Sequence, residues 1–326
     1  MRPIRRILVA VKKPAGRASP AVAKAAQLAE ALRAELHLFH DLDATIYLTG
    51  FEPRGASLAD LERNMRAEAL EQLDQVADRL RRHGVRVTTA AEWDFPVYEA
   101  VLREAQRVSA DLIVAECHPA PHRATALLRY ADWELLRRSP VPFLLVKSRA
   151  LYRRPHLLAA IDPLHAYAKP AVLDDAILEV ADRLAGSLSG RLEAVHAFVP
   201  PTLVPVTLVG GPIIDVGVAR QESEAAARKT FDKAVRRYDV RPRARHVVRG
   251  APADVIPELA RRTRSAIVVM GALSRSGFKR FFIGNTAEQV IDSLECDVLV
   301  VKPAGFRSDV GRARRGPRVY AAPLVA

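Results

Sequence analysis

The chain says the same thing twice. Leu36-His-Leu-Phe-His40 is answered by Leu192-Glu-Ala-Val-His196, each run ending in His and standing 156 positions apart. Asp111-Leu-Ile-Val-Ala115 is answered by Ala266-Ile-Val-Val-Met270, and Phe143-Leu-Leu-Val-Lys147 by Val298-Leu-Val-Val-Lys302, both at 155. Leu8-Val-Ala-Val11 pairs in kind with Leu158-Ala-Ala-Ile161. A near-constant offset of this size is the mark of a duplicated domain. Within each half, short apolar runs alternate with longer stretches at helical spacing, such as Leu58, Leu61, Met65, Ala69, Leu73, Val76 and Leu80. The pattern predicts helices over 19–33, 57–83, 95–108 and 124–138, then over 169–188, 220–238, 252–263 and 285–294. The runs between them are continuously apolar, as strands of a parallel sheet covered on both faces must be. The expected fold is α/β: two tandem doubly wound, Rossmann-like domains, each with a five-stranded, largely parallel sheet. The domains are placed at 1–150 and 151–303, with a terminal segment at 304–326. In such folds ligands sit outside the carboxyl ends of the strands.

Composition narrows the function classes. Apolar residues make up 49% and charged residues 27% of the 326, which suits a globular chain and not a disordered one. Two cysteines exclude a disulfide framework and point to a reducing, cytoplasmic setting. No run is long and apolar enough for a membrane-spanning helix. Met1-Arg-Pro-Ile-Arg-Arg-Ile-Leu-Val-Ala-Val-Lys12 reads as a first strand and not as a signal peptide. The formal charge is +13, and part of it comes from Arg307, Arg312, Arg314, Arg315 and Arg318 against the lone Asp309. That Gly- and Pro-punctuated stretch is expected to be a flexible basic tail, mobile or draped on the surface. A basic body attracts anions, but no zinc-finger spacing or aromatic-studded strand supports sequence-specific nucleic-acid binding.

The richest chemistry follows the fourth strand of the second half. Gly271-Ala-Leu-Ser274-Arg-Ser-Gly277 leads to Gly284-Asn285-Thr286-Ala-Glu288 and a helical stretch. Glycines admit a ligand close to the backbone, and a helix start with Ser and Thr hydroxyls can cradle phosphate. Asn285 is the expected N-cap, with Glu288 completing a capping-box-like pattern. The alternative is a tight strand–helix connection that binds nothing, and the residues alone leave both open.

At this point the sequence resembles the universal stress protein family, which carries G-x2-G-x9-G-[S/T] after its fourth strand. Gly271, Ser274, Gly284 and Asn285 stand at the four motif positions, Ser and Asn departing from the pattern. Asp162 matches the family's Asp after strand one, and His196-Ala197 the end of strand two. Gly284-Asn-Thr-Ala-Glu-Gln-Val-Ile-Asp292, and Asp132-Trp-Glu-Leu-Leu-Arg137 leading to Pro140–Lys147, resemble the tandem-domain E type of that family. The resemblance covers about 1–302. It implies a pseudo-dimer of domains through their fifth strands. It also implies a stress-response protein and not a dedicated enzyme, serving survival of starvation, oxidants or DNA damage through ligand sensing or partner binding. Bound ATP, with Mg, would have its phosphates on Gly271, Ser274, Gly277, Gly284, Asn285 and Thr286, Asp162 by ribose or metal, and Ala197 by adenine.

The first half has lost this set. At the same offset stand Glu116, Pro119, Arg129 and Tyr130, and Lys12 replaces the Asp. Three rival readings remain. A slow ATPase or nucleotide switch needs Asp162 and the 271–286 loop. A binding protein for a lipid-like molecule or a protein partner, self-association included, would use the long apolar segment 199–218 or its counterpart 41–51. A nucleic-acid-associated protein would use the arginine-rich end. The apolar segments can equally be buried between halves. Cys117 and Cys296 are expected to be buried small hydrophobes, His40 and His196 satisfied structural histidines, and Trp93 and Trp133 core or packing residues. Glu116, Cys117, His118 and His122 cluster in sequence without a closed ligand set for a metal. His165 near Asp162 is too little for catalysis.

Overall fold

The computed structural model describes residues 3–16, 19–42, 45–48, 57–117, 130–164, 171–200, 216–271 and 284–321. The chain divides into two compact units. One holds the sequence through Tyr152 and takes the chain back from Gly305 onward; the other holds Arg153–Ala304.

The first unit contains β1 (Arg6–Ala10), α1 (Pro20–Leu32), β2 (Glu35–Asp41), β3 (Thr45–Leu48), α2 (Leu58–Arg82), β4 (Val87–Glu92), α3 (Val97–Arg107), β5 (Leu112–Glu116), α4 (Tyr130–Arg138) and β6 (Phe143–Val146). Its strands run in the order β4-β2-β1-β5-β6, with neighbouring strands parallel. The second unit contains β7 (His156–Ala160), α5 (Ala171–Ser187), β8 (Arg191–Phe198), α6 (Val216–Val235), β9 (Arg245–Arg249), α7 (Pro252–Arg262), β10 (Ile267–Gly271), α8 (Asn285–Ser293) and β11 (Asp297–Val301). Its order is β9-β8-β7-β10-β11, again parallel. Each unit is thus the five-stranded doubly wound sheet that the apolar runs demanded, and the helices match their expected spans within a few residues wherever they are described.

The central strands are apolar because both their faces are covered. Ile7, Leu8 and Val9 are fully buried, as are Leu112–Ala115, Leu157–Ala159 and Ile267–Val269. Helix starts follow local chemistry. Ser19 caps α1, with Pro20 behind it, and Ser57 with Asp60 forms a reciprocal capping box on α2. Where the chain turns into β8, Gly190 lies against Pro155, whose carbonyl oxygen would stand 2.3 Å from an added Cβ, so that only glycine fits.

The terminal segment corrects the expectation of a flexible tail. Val310 is buried, and β12 (Arg318–Ala321) pairs in parallel with β3 in a separate two-stranded sheet, Arg318 opposite Thr45 and Ala321 opposite Leu48. The apolar 41–51 segment therefore contributes a strand that the chain's own C-terminal segment covers. Backbone donors and carboxylates on the first unit, described below, are what hold the arginine-rich stretch down. Trp93 lies in the core as expected, whereas Trp133 is half-buried with the Arg137 guanidinium 5.8 Å from its ring centre. Cys117 is buried; Cys296 is only partly so, because it sits at the entry to β11 and not within it.

Candidate functional site

The carboxyl ends of β8, β7 and β10 lie side by side in the second domain. The register pairs Ala160 with Val195 and with Met270. Continued past the last pairs, it sets Asp162 abreast of Ala197, with Gly271 closing the next strand. Three of the residues singled out in the sequence thus meet at one sheet end, at the reversal of strand order where doubly wound folds bind ligands.

Asp162 is the distinctive group. It is 6% exposed, and among the described residues neither carboxylate oxygen has a hydrogen-bond partner. Its main-chain N–H donates to Asp174 Oδ1 at 3.1 Å, which fixes the turn after β7. His196 Nδ1 lies 3.9 Å from Asp162 Oδ1 but is directed at the Ile161 carbonyl, 3.3 Å away. Its ring stacks near Phe198 and Phe231, with centroids 6.0 and 6.5 Å apart. The first domain repeats this device: His40 Nδ1 donates to the Val11 carbonyl at 2.7 Å. Both histidines are structural, tying the end of strand two to the chain leaving strand one. A buried carboxylate is costly without donors, and among the described residues none is supplied to Asp162.

Gly271 is placed by packing as much as by any ligand. A Cβ there would stand 2.6 Å from Leu173 Cδ2 and 3.2 Å from Ile177 Cδ1. Gly284, and not Asn285, is the N-cap of α8. Its φ of 90° lies in the left-handed region that favours glycine, and Glu288 N–H donates to its carbonyl at 3.0 Å. The expected Asn285 capping box is therefore corrected: Asn285 and Thr286 are the first helical residues, and no side chain caps the turn. Ser274 and Gly277 lie outside the described residues, as do Pro119, Arg129, His118, His122, His165 and most of the apolar 199–218 segment. Among the described residues no cluster of His, Cys, Asp and Glu could hold a metal ion.

The first domain has filled the equivalent place with its own charges. Lys12 Nζ pairs with Asp132 Oδ1 at 3.2 Å and donates to the Glu116 carbonyl at 2.5 Å. Burial pushes the Lys12 ammonium down from its ordinary value, and the buried Asp132 carboxylate opposes that shift. An ion pair between a partly exposed lysine and a buried aspartate thus stands where the second domain keeps a carboxylate with no hydrogen-bond partner among the described residues.

A model of the universal stress protein family matches residues 3–147 and, a second time, residues 156–302. The chain belongs to the universal stress protein family. Universal stress protein E of Escherichia coli K12 is 28% identical over 70% of this chain and 72% of its own length. The universal stress protein E homolog of Haemophilus influenzae is 22% identical over 91% of this chain and 97% of its own. Among solved structures, a functionally unknown protein of Pseudomonas aeruginosa PAO1 superposes with a TM-score of 0.70 at 26% identity, covering 92% of this chain and 93% of that one. A putative universal stress protein of P. aeruginosa UCBPP-PA14 gives 0.69, also at 26%, covering 92% and 94%. This universal stress protein therefore carries both family domains on one chain. No helix among its described residues is long and apolar enough to cross a membrane.

Proposed function

We propose that this is a stress-response protein whose second domain senses a nucleotide, ATP with Mg, and whose first domain does not. The carrying observation is the buried Asp162 carboxylate, with no hydrogen-bond partner among the described residues, at the strand-order reversal. Ribose hydroxyls or metal-bound water would supply the donors it lacks. Ala197 offers a small flat wall beside it, and the uncapped start of α8 at Gly284, Asn285 and Thr286 offers main-chain N–H groups to phosphate. Bound ATP would bring the phosphate oxygens that complete the cation's shell. The first domain's Lys12–Asp132 pair makes its own sheet end self-sufficient. The reading is of a binding protein, with the sheet end of the second domain as its site.

Native mass spectrometry of the full chain with Mg-ATP tests this. The expected result is one nucleotide per chain, lost in Asp162→Ala and kept in Lys12→Ala. No adduct, two adducts, or an adduct indifferent to Asp162 would overturn it.

A further inference from the structure

The first domain carries an acidic trough at the edge of its sheet, occupied by the chain's own C-terminal segment. Asp94, just past β4, is 3% exposed. Its Oδ1 accepts the main-chain N–H of Arg315 at 2.8 Å and of Gly316 at 3.1 Å. Its Oδ2 pairs with Arg103 at 2.7 Å. Phe95 N–H donates to the Gly316 carbonyl at 3.1 Å. Arg314 reaches Glu62 Oε1 and the Trp93 carbonyl at 3.0 Å each, and Glu92 Oε2 at 2.9 Å. Arg315 pairs with Glu99 at 3.0 Å. Gly316 has a φ of 76°, so the turn calls for glycine. After it, β12 adds itself in parallel to β3.

This is recognition of a motif, Arg-Arg-Gly followed by a strand, through paired main-chain donors, two guanidinium contacts and β-augmentation. It is held mainly by polar contacts. Arg312 to Arg315 are exposed, and the segment spans a cavity of about 400 Å³ lined by Phe39 and Ala100 on the domain side and Arg312 and Arg314 on its own. Segments with few buried apolar contacts open at low local cost. Lifted away, it would leave Glu62, Glu92, Asp94 and Glu99 to share Arg66 and Arg103, and a buried Asp94 without two of its donors. At the repeat offset of 156, Glu92 and Asp94 correspond to Val248 and Gly250, so the second domain lacks these two carboxylates.

We infer that the trough of the first domain is a docking site for basic peptide segments of the Arg-Arg-Gly kind, with residues 312–321 as a resident ligand that a partner's segment displaces in trans. The test uses a fluorescein-labelled peptide of residues 309–321 and full-length protein. In wild type the tethered segment competes at an effective concentration in the millimolar range, so the peptide binds weakly. Arg314→Glu with Arg315→Glu releases the tether, and the peptide should then bind at least about tenfold more tightly. Adding Asp94→Asn should reverse that gain. Glu62→Gln with Glu92→Gln, at two side chains that are partly exposed, should reverse it as well and guards against misfolding of the Asp94 variant. A peptide carrying the two Glu substitutions should not bind. Equal peptide affinity in wild type and the released variant would overturn the inference. So would indifference to both carboxylate changes, or unaltered hydrogen-exchange protection of 310–317 in the released variant.

Discussion

Replacing Gly271 by Ala should destabilise the second domain, and truncating Leu173 should repair part of the damage. The added Cβ would lie 2.6 Å from Leu173 Cδ2 and 3.1 Å from its Cγ, about 1 Å inside ordinary carbon–carbon contact. Leu173 and Ile177 are fully buried on α5, so the clash has to be relieved by repacking within the core. Overpacking of this kind costs about 1–3 kcal/mol. Leu173→Ala alone opens a cavity and costs about 2–5 kcal/mol. Together the two changes should cost less than their sum by about 1–2 kcal/mol, because the new methyl group occupies space the leucine left. Urea unfolding of the four proteins in the cycle, followed by hydrogen exchange of the 267–271 amides, reads the second domain directly. Strict additivity would refute the packing account of Gly271. A Gly271→Ala protein of unchanged stability that bound Mg-ATP less well would assign the glycine to the ligand instead.

Other outcomes follow from the same contacts. Lys12→Ala should cost about 1–3 kcal/mol by removing one charged partner of the buried Asp132 carboxylate, and Asp132→Asn should restore part of it in thermal melts. Gly190→Ala should destabilise by about 3 kcal/mol or more, because the obstacle is the Pro155 backbone and no side-chain truncation relieves it. Glu104 is buried, which pushes its carboxyl up, but hydrogen bonds from His37 (2.5 Å) and Arg107 (2.6 Å) outweigh that and bring it down from 4.5 to about 2. Its folded value is depressed, so its contribution is whole above about pH 4.5 and fades as pH falls towards 2. Glu104→Gln should flatten the acid limb of the stability–pH curve; an unchanged limb would assign acid unfolding to other groups.

The sheets were legible because continuous apolar runs leave a parallel strand no alternative, and because duplication lets each half vouch for the other. His40 and His196 could be read as structural from their matching positions, and both tie the same two strand ends. Local reasoning failed where partners are far apart in sequence. Thr45-Ile-Tyr-Leu48 pairs with a strand some 270 positions later, and nothing within either run names the other. Arginines 314 and 315 read as part of a flexible tail because their carboxylates belong to α2, β4 and α3. The cap of α8 was placed on Asn285 by side-chain preference, whereas backbone conformation decides it at Gly284. At the site, the motif marked Gly271 for a ligand, and only the packing of α5 reveals a second demand on it.

The docked C-terminal segment also sets a clock on how the protein is made. Asp94 leaves the ribosome 222 residues ahead of Gly316, the donor that completes its hydrogen bonds. At about 5–20 residues per second, the first domain spends on the order of 10–45 s of each synthesis with its acidic edge uncovered. Its last stabilising contacts arrive only after the entire second domain has been translated. A nascent or prematurely terminated chain therefore presents a surface that a finished one conceals, and chaperones or proteases that read acidic edges would meet the two as different molecules.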